Sequence, residues 1–579
     1  MVKLMKFLSP YKERVAFMLF LLFAQVIGTL YIPTLTADIV NNGIAAGNLE
    51  QVWKTGGLML AVAIVTAIVS VLGTYSSTYI ATSMGRDIRG ALFRKAQDFS
   101  VNNFNKFGAA SLITRSTSDV TQIQMAFSII VEMLLPAPFM TIAGLVLAFS
   151  KNPMLSLMIM GFMAVILFLT FFIGKKVIPI FNKMQTALDK INRIVRENII
   201  GVRVIRAFNR TKDAKKRVDQ TFDDYANIAI KANKIFAILL PLVMLIMNIC
   251  TVLIVWFGGK QVVTGNIGIG DIMAIIEYAM LTLLYLVMGV SVFIFIPRAQ
   301  TCAERINAVL NTAPEYSKDA VLVKRDLSET SATVKVEFKN VTFRYEGAEE
   351  AVLHTIDFTV EKGKTTAIIG STGSGKSTIA TLVMRFYDVE GGSILVDGKD
   401  VREYGQNELR NKIGYVPQKA FLFSGTIADN LRHGKWNATV AEMRLATKIA
   451  QIDDFIEASK DGLNHRVSQG GNNFSGGQKQ RLSIARAIIK KPDIYIFDDS
   501  FSALDFKTDA RLRVALKEEI KESAVIIVAQ RISTILDADQ IIVLEEGRIV
   551  GKGTHQELMD SCLIYQQIAY SQLSEEELA

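Results

Sequence analysis

TTAIIGSTGSGKSTIATLVM, Thr365–Met384, decides how the second half of this chain must fold. A short β-branched run enters G-x-x-x-x-G-K-S, Gly370 to Ser377, and an apolar helical pattern leaves it. Strand, glycine loop and helix in that order are the context of a phosphate-binding P-loop. Gly370, Ser371, Thr372, Gly373, Ser374 and Gly375 supply backbone N–H groups that can close around phosphate oxygens, with the helix N-terminus adding positive potential. Lys376 supplies a point charge, Ser377 a magnesium ligand, and Thr378 the next helical position. ATP and Mg2+ are the cofactors this loop predicts.

Two further stretches complete a nucleotide site. In IYIFDDSFSALD, Ile494–Asp505, an apolar strand ends on Asp498, where a magnesium-linked acid belongs, and Asp499 follows in the place of a water-activating carboxylate. In NFSGGQKQRL, Asn473–Leu482, a second glycine-rich turn opens a helix. Ser475, Gly476, Gly477 and Gln478 there offer free donors to an anion. The P-loop already cradles this chain's own phosphates, so the second turn is expected to reach a nucleotide held by another domain. A simple helix cap would not require the second glycine or Gln478.

Around these motifs, runs such as VKVEFKNVTF, NKIGYVP, AVIIVAQ and QIIVLEEGRIV alternate with helical segments. That alternation predicts an α/β domain with a largely parallel sheet over residues 334–579. A polar linker, 316–333, precedes it. SQLSEEELA closes the chain as an acidic, solvated helix end.

The first half is different matter. Residues 1–315 hold 30 Lys and Arg against 17 Asp and Glu; residues 316–579 hold 34 against 38. The excess positive charge therefore lies with the apolar runs, and mean hydropathy over the chain is +0.30. Basic loops beside apolar spans point to a membrane, not to nucleic acid. Six stretches reach the ~20 apolar residues a span needs: Val15–Leu35, Thr55–Ser83, Met133–Ser150, Asn152–Gly174, Ile235–Gly259 and Tyr278–Pro297. The first is too long for a cleavable signal's apolar core. Six spans also exclude a soluble DNA-handling ATPase. Lys175–Lys234 alone carries 15 basic residues, whereas the loops of opposite side hold only Lys54, Lys151 and Lys260. The N-terminus and the ATP-binding domain are thus expected in the cytoplasm of a multi-pass cell-membrane protein.

Segments 84–121 and 175–234 are longer than connectors need and read as spans projecting into the cytoplasm. Their expected tips are Asn105–Val120, near Leu112, and Glu197–Arg210, near Val204, whose apolar residues suggest docking. Cys250, Cys302 and Cys562 have neither metal nor disulfide spacing.

With VPQKAFLFSGTIADNL added to the P-loop, NFSGGQKQRLSIARAI and DDSFSALD, the chain resembles the ABC transporters, and six spans ahead of one ATPase resemble an exporter half-transporter. The resemblance implies a membrane all-α six-helix domain with long cytoplasmic extensions, 1–315, followed by an α/β P-loop NTPase domain of ABC type. It implies two chains holding two ATPs, each between one P-loop and the other chain's signature turn. By matching position, Tyr345 would stack on adenine and Gln418 would sense magnesium. Ser475–Gln478 would contact the partner's nucleotide, and Ser502–Asp505 would line the seam.

Two positions depart from the family pattern. Asp499 stands where Glu is usual, and Gln530 where a switch His is usual. Asp is one methylene shorter, about 1.5 Å of reach, and a Gln amide cannot carry imidazolium charge. The signature turn is intact. The combination resembles the degenerate-site subunit of heterodimeric multidrug ABC exporters and predicts a partner half-transporter with Glu, His and a weakened signature. The alternatives are a homodimeric lipid or peptide exporter using Asp499 as base, and an ATP-gated channel or regulatory subunit. The expected cargo is hydrophobic or amphipathic. Gln25, Glu132, Asn248 and Glu277 are the polar groups within the spans that could meet it; Phe162, Met247 and Met280 could line an adaptable cavity.

Overall fold

The computed structural model describes residues 2–313 and 333–572, so most of the expected linker and the acidic end of the chain lie outside the described residues. Two compact units emerge. One comprises Met1–Asp98 and Phe107–Thr312; the other comprises Phe99–Lys106 and Ala313–Ala579.

The first unit is helical throughout. Among the described residues, six helices are long and apolar enough to cross a membrane, including Leu49–Gln97, Ala109–Lys151 and Thr211–Val263. At 1.5 Å per residue the 49-residue helix Leu49–Gln97 runs about 74 Å. A hydrocarbon core of ~30 Å leaves more than half of it projecting beyond the lipid. The turn between the third and fourth apolar stretches is tight, as their spacing in the sequence requires. Only Asn152 is extended, and its side chain accepts from Leu155 N at 3.0 Å while Pro153 starts the next helix. Small residues bring helices together. A Cβ on Gly144 would lie 2.4 Å from Thr282 Cγ2, and one on Gly289 2.7 Å from Ala137 Cβ. Helices Pro136–Lys151 and Ile269–Ser291 therefore pack nearly backbone to backbone.

The tips differ from expectation in one respect. The short helix of the first excursion is Val101–Phe107, at the very end of Leu49–Gln97. Leu112 already belongs to the returning helix and is buried there. The resemblance placed Leu112 at the tip; in the structure it lies one helix further on. The second tip is where the sequence puts it: Val202–Ala207 joins Pro153–Ile200 to Thr211–Val263.

In the second unit a six-stranded sheet runs in the order Arg548–Gly553, Gln540–Glu545, Thr365–Gly370, Ala524–Val528, Ile494–Asp498, Ile413–Val416. All pairings are parallel except the first. QIIVLEEGRIV, which reads as one strand, is an antiparallel hairpin, turning at Glu546 and Gly547, both at positive φ. A separate antiparallel sheet pairs Val334–Phe343 with Leu353–Glu361 and with Gly391–Val396. The central strands are buried on both faces, as their unbroken Ile, Val and Phe content requires. The loops at the carboxyl ends of Thr365–Gly370 and Ile494–Asp498 thereby fall on one edge of the sheet, on either side of the end of Ala524–Val528, which is where α/β sheets place ligands.

Candidate nucleotide site and transport cavity

Gly370 ends its strand so close to the neighbouring one that a Cβ would stand 2.0 Å from Leu544 O. Gly375, at φ +96°, leads into helix Lys376–Val383, and a Cβ there would meet Leu353 Cδ2 at 2.6 Å. The loop is therefore a tight backbone cradle. Lys376 Nζ donates to the carbonyls of Gly370, 2.8 Å, and Ser371, 2.6 Å, folding the ammonium over the loop. Burial pulls its pKa down, which means the charge lacks solvation and would gain from phosphate. The Ser374 hydroxyl is buried with no partner among the described residues, a further donor within the cradle. Thr378 Oγ1 lies 3.0 Å from Tyr345 OH, and the Tyr345 ring meets Tyr387 edge-on at 5.2 Å.

Asp498 is 3 % exposed. One carboxylate oxygen accepts from Ser377 Oγ at 2.8 Å and the other from Tyr415 OH at 3.3 Å. Burial pushes its pKa up, with the Ser377 hydrogen bond opposing. A buried carboxylate beside a serine hydroxyl, with no ion pair to a described residue, is the hard oxygen set that suits Mg2+. Tyr415 was not evident from sequence. Its signal is register: the strand Ile413–Val416 lies parallel to Ile494–Asp498, with Tyr415 opposite Ile496.

Asp499 has a left-handed backbone, φ 47°, and its N–H donates to Val528 O. One oxygen of its side chain accepts two amides at once, Gln418 Nε2 at 3.1 Å and Gln530 Nε2 at 2.9 Å. The two residues singled out as departures thus bind each other, and Gln418 joins them. Ser502 Oγ donates to Asp499 O, Arg531 donates to Ser502 O, and Asp505 caps helix Phe506–Glu519.

At the signature turn, Ser475 is the N-cap of helix Gly476–Ile488. Gln478 N donates to Ser475 Oγ at 3.3 Å, and Gln478 Oε1 accepts from Ser475 N at 2.8 Å. The sequence argument that a cap has no use for Gln478 is thus corrected: Gln478 closes a capping box. Nothing lies within 4 Å of a Cβ built on Gly476, so the front of this helix is open.

Within the helical unit, Gln25 and Glu132 line one cavity of ≈ 240 Å³, together with Ser77 and Tyr285. Asn248 and Glu277 do not line it.

A helical membrane unit joined to a P-loop ATPase with a second glycine-rich helix start defines an ATP-driven membrane transporter. The chain belongs to the ABC transporter family: the family's transmembrane region matches residues 15–287 and its ATPase matches residues 353–502. It is 39% identical to an uncharacterized ABC transporter ATP-binding protein of Mycobacterium tuberculosis, over 98% of this chain and 97% of the relative. Identity to an uncharacterized ABC transporter ATP-binding protein of Bacillus subtilis, YfiB, is 35%, over 100% and 99%. An ATP-dependent lipid A-core flippase of Vibrio vulnificus is 28% identical over 99% and 97%. A solved bacterial Atm1-family ABC exporter with ATP bound superposes with a TM-score of 0.79 at 25% identity, covering 97% of this chain and 99% of the other. The protein is a multi-pass ABC exporter and a transport ATPase.

Proposed function

We propose that this chain is one half of a heterodimeric exporter of amphipathic compounds in the cytoplasmic membrane, and that the ATP on its own P-loop is bound firmly but hydrolysed slowly. The single observation carrying this is the Asp499 carboxylate, short by one methylene and held by two amide donors, Gln418 and Gln530. A general base must come within ~2.6–3.2 Å of the water it orients. In this reading Gly370–Thr378 grip phosphate, Lys376 neutralises it, and Ser377, Asp498 and Gln418 would hold Mg2+, whose charge would compensate the phosphoryl oxygens. Ser475–Gln478 serve the partner's ATP.

Support for a second chain also comes from the tip 197–210. Ile199, Ile200, Val204 and Phe208 are 61–77 % exposed in this chain, a contiguous apolar end that water alone covers poorly. The direct test is ATP turnover by the purified chain alone, expected near background. The homodimeric reading, with Asp499 as base, requires robust turnover instead.

The magnesium assignment has a pH signature. Metal binding needs the ionised Asp498 carboxylate, and burial raises that group's pKa. Protons therefore compete at a higher pH than for an ordinary Asp of about 3.9. Mg2+ affinity, measured with ATP present by Mn2+ displacement, should weaken as pH is lowered from about 7 toward that value. In Asp498→Asn the affinity should be low, with only the pH dependence that the terminal phosphate of ATP contributes through its own ionisation at about pH 6. A profile in the unaltered protein no steeper than that of Asp498→Asn would contradict the assignment.

A further inference from the structure

The cavity holding Gln25 and Glu132 carries more than its acid. Glu132 sits in a π-turn, Ile130–Leu134, between helices Val120–Ile129 and Pro136–Lys151. The cause is local. Pro136 and Pro138 have no N–H to give the carbonyls of Glu132 and Leu134, so the ladder slips, and Leu135 N donates five residues back to Ile130 O at 2.9 Å. The extra residue turns Glu132 toward the cavity. No described Lys, Arg or His lies within ion-pair distance of it. Lys151, the basic residue at the far end of the same apolar helix, is 19 positions away, about 28 Å along the axis.

Ser77 lines the same space and is 1 % exposed, yet its hydroxyl has no partner among the described residues. Its neighbours behave otherwise: Ser76 and Thr82 donate to carbonyls of their own helix, Leu72 O and Thr78 O, both at 2.8 Å. A buried hydroxyl that declines this option in a cavity is costly unless something fills it. Met18, Met140 and the Tyr285 ring are also part of the wall, soft thioethers and an aromatic face that favours a cation.

We propose that Glu132, Ser77, Gln25 and Tyr285 form a subsite for the protonated amine head of an amphipathic cargo. This rests on the exporter reading above and names its substrate class. A quaternary ammonium fits less well, because the Ser77 hydroxyl and Gln25 carbonyl can accept N–H bonds that it cannot give. At ≈ 240 Å³ the cavity falls below the ~300–1,000 Å³ of sites that enclose a whole drug-sized ligand. It takes the head, and the tail leaves past Glu132, which is exposed on its other side.

The test uses the full chain, co-purified with its partner where one binds, in nanodiscs, with tritiated dodecylamine as probe. Binding above empty nanodiscs is expected, weakened about tenfold or more by Glu132→Gln and about fivefold by the milder Ser77→Ala. Dodecyltrimethylammonium should compete less well than dodecylamine, dodecyl sulfate not at all, and Glu277→Gln should bind as the unaltered protein does. Binding unchanged in both cavity variants, or equally weakened by Glu277→Gln, overturns the subsite. Absence of probe binding in a sample that still binds ATP also overturns the subsite while leaving the exporter reading standing. The heterodimer assignment is tested separately, by the turnover of the isolated chain.

Discussion

In the isolated chain paired with itself, so that each P-loop faces an intact signature turn, Asp499→Glu combined with Gln530→His is expected to raise ATP turnover by about 10²-fold or more, the low end of what a positioned base contributes. The longer side chain extends about 1.5 Å past the point where Gln418 and Gln530 now hold the carboxylate. Histidine removes one of those two amides and can carry positive charge toward the phosphate. The cost is backbone strain. Position 499 has φ 47°, a conformation Asp adopts more readily than Glu. That penalty, on the order of 1 kcal/mol, is far below the ~2.7 kcal/mol that a hundredfold rate change represents. Asp499→Glu alone should give part of the gain, since Gln530 still tethers the acid. Nucleotide affinity should stay unchanged in both, because Lys376 and the loop glycines are untouched. Turnover in the double variant equal to that of the unaltered chain, with ATP binding intact, would mean the weakness lies elsewhere.

The second large effect concerns the signature turn. Gly476→Glu in the complex with a partner chain should lower ATP turnover by about 10²-fold, comparable to losing one preorganised donor from a developing anion. The fold itself tolerates the change. A side chain at 476 meets nothing within 4 Å, and an acid in the first turn of Gly476–Ile488 favours the helix dipole. Thermal stability should therefore hold or rise slightly while activity collapses, a separation that a structural role could not produce. ATP binding at this chain's own P-loop should persist. If turnover of the complex is insensitive to Gly476→Glu, the signature of this chain does not serve the productive site.

How far the sequence carries is uneven, for physical reasons. The P-loop was legible because strand, glycines, lysine and helix are contiguous, and each residue's task follows from its position. The parallel strands were legible where β-branched runs end at Gly, Pro or Asp. Leu353–Glu361 carries the alternation of a half-buried strand from Ile356 to Val360, a weaker signal than an unbroken apolar run, and the polar residues among LHTIDFTVE masked it. The hairpin at Glu546–Gly547 was hidden because the apolar residues on both sides read as one run. In the membrane unit, span count follows from hydropathy alone. Which polar residues meet does not: Gln25, Ser77, Glu132 and Tyr285 lie on four separate helical segments. Helix rotation, itself displaced by the π-turn before Pro136, decides that Glu132 enters the cavity and Glu277 does not. The Asp499–Gln530 contact spans 31 residues of sequence and joins two departures that composition presents as unrelated.

The most direct measurement is steady-state ATP turnover by the purified chain alone in nanodiscs, unaltered and as Asp499→Asn. A bound but slowly spent nucleotide predicts turnover near background in both forms, with ATP still retained by the P-loop. Brisk turnover that falls tenfold or more in Asp499→Asn would establish Asp499 as a working base and contradict the account.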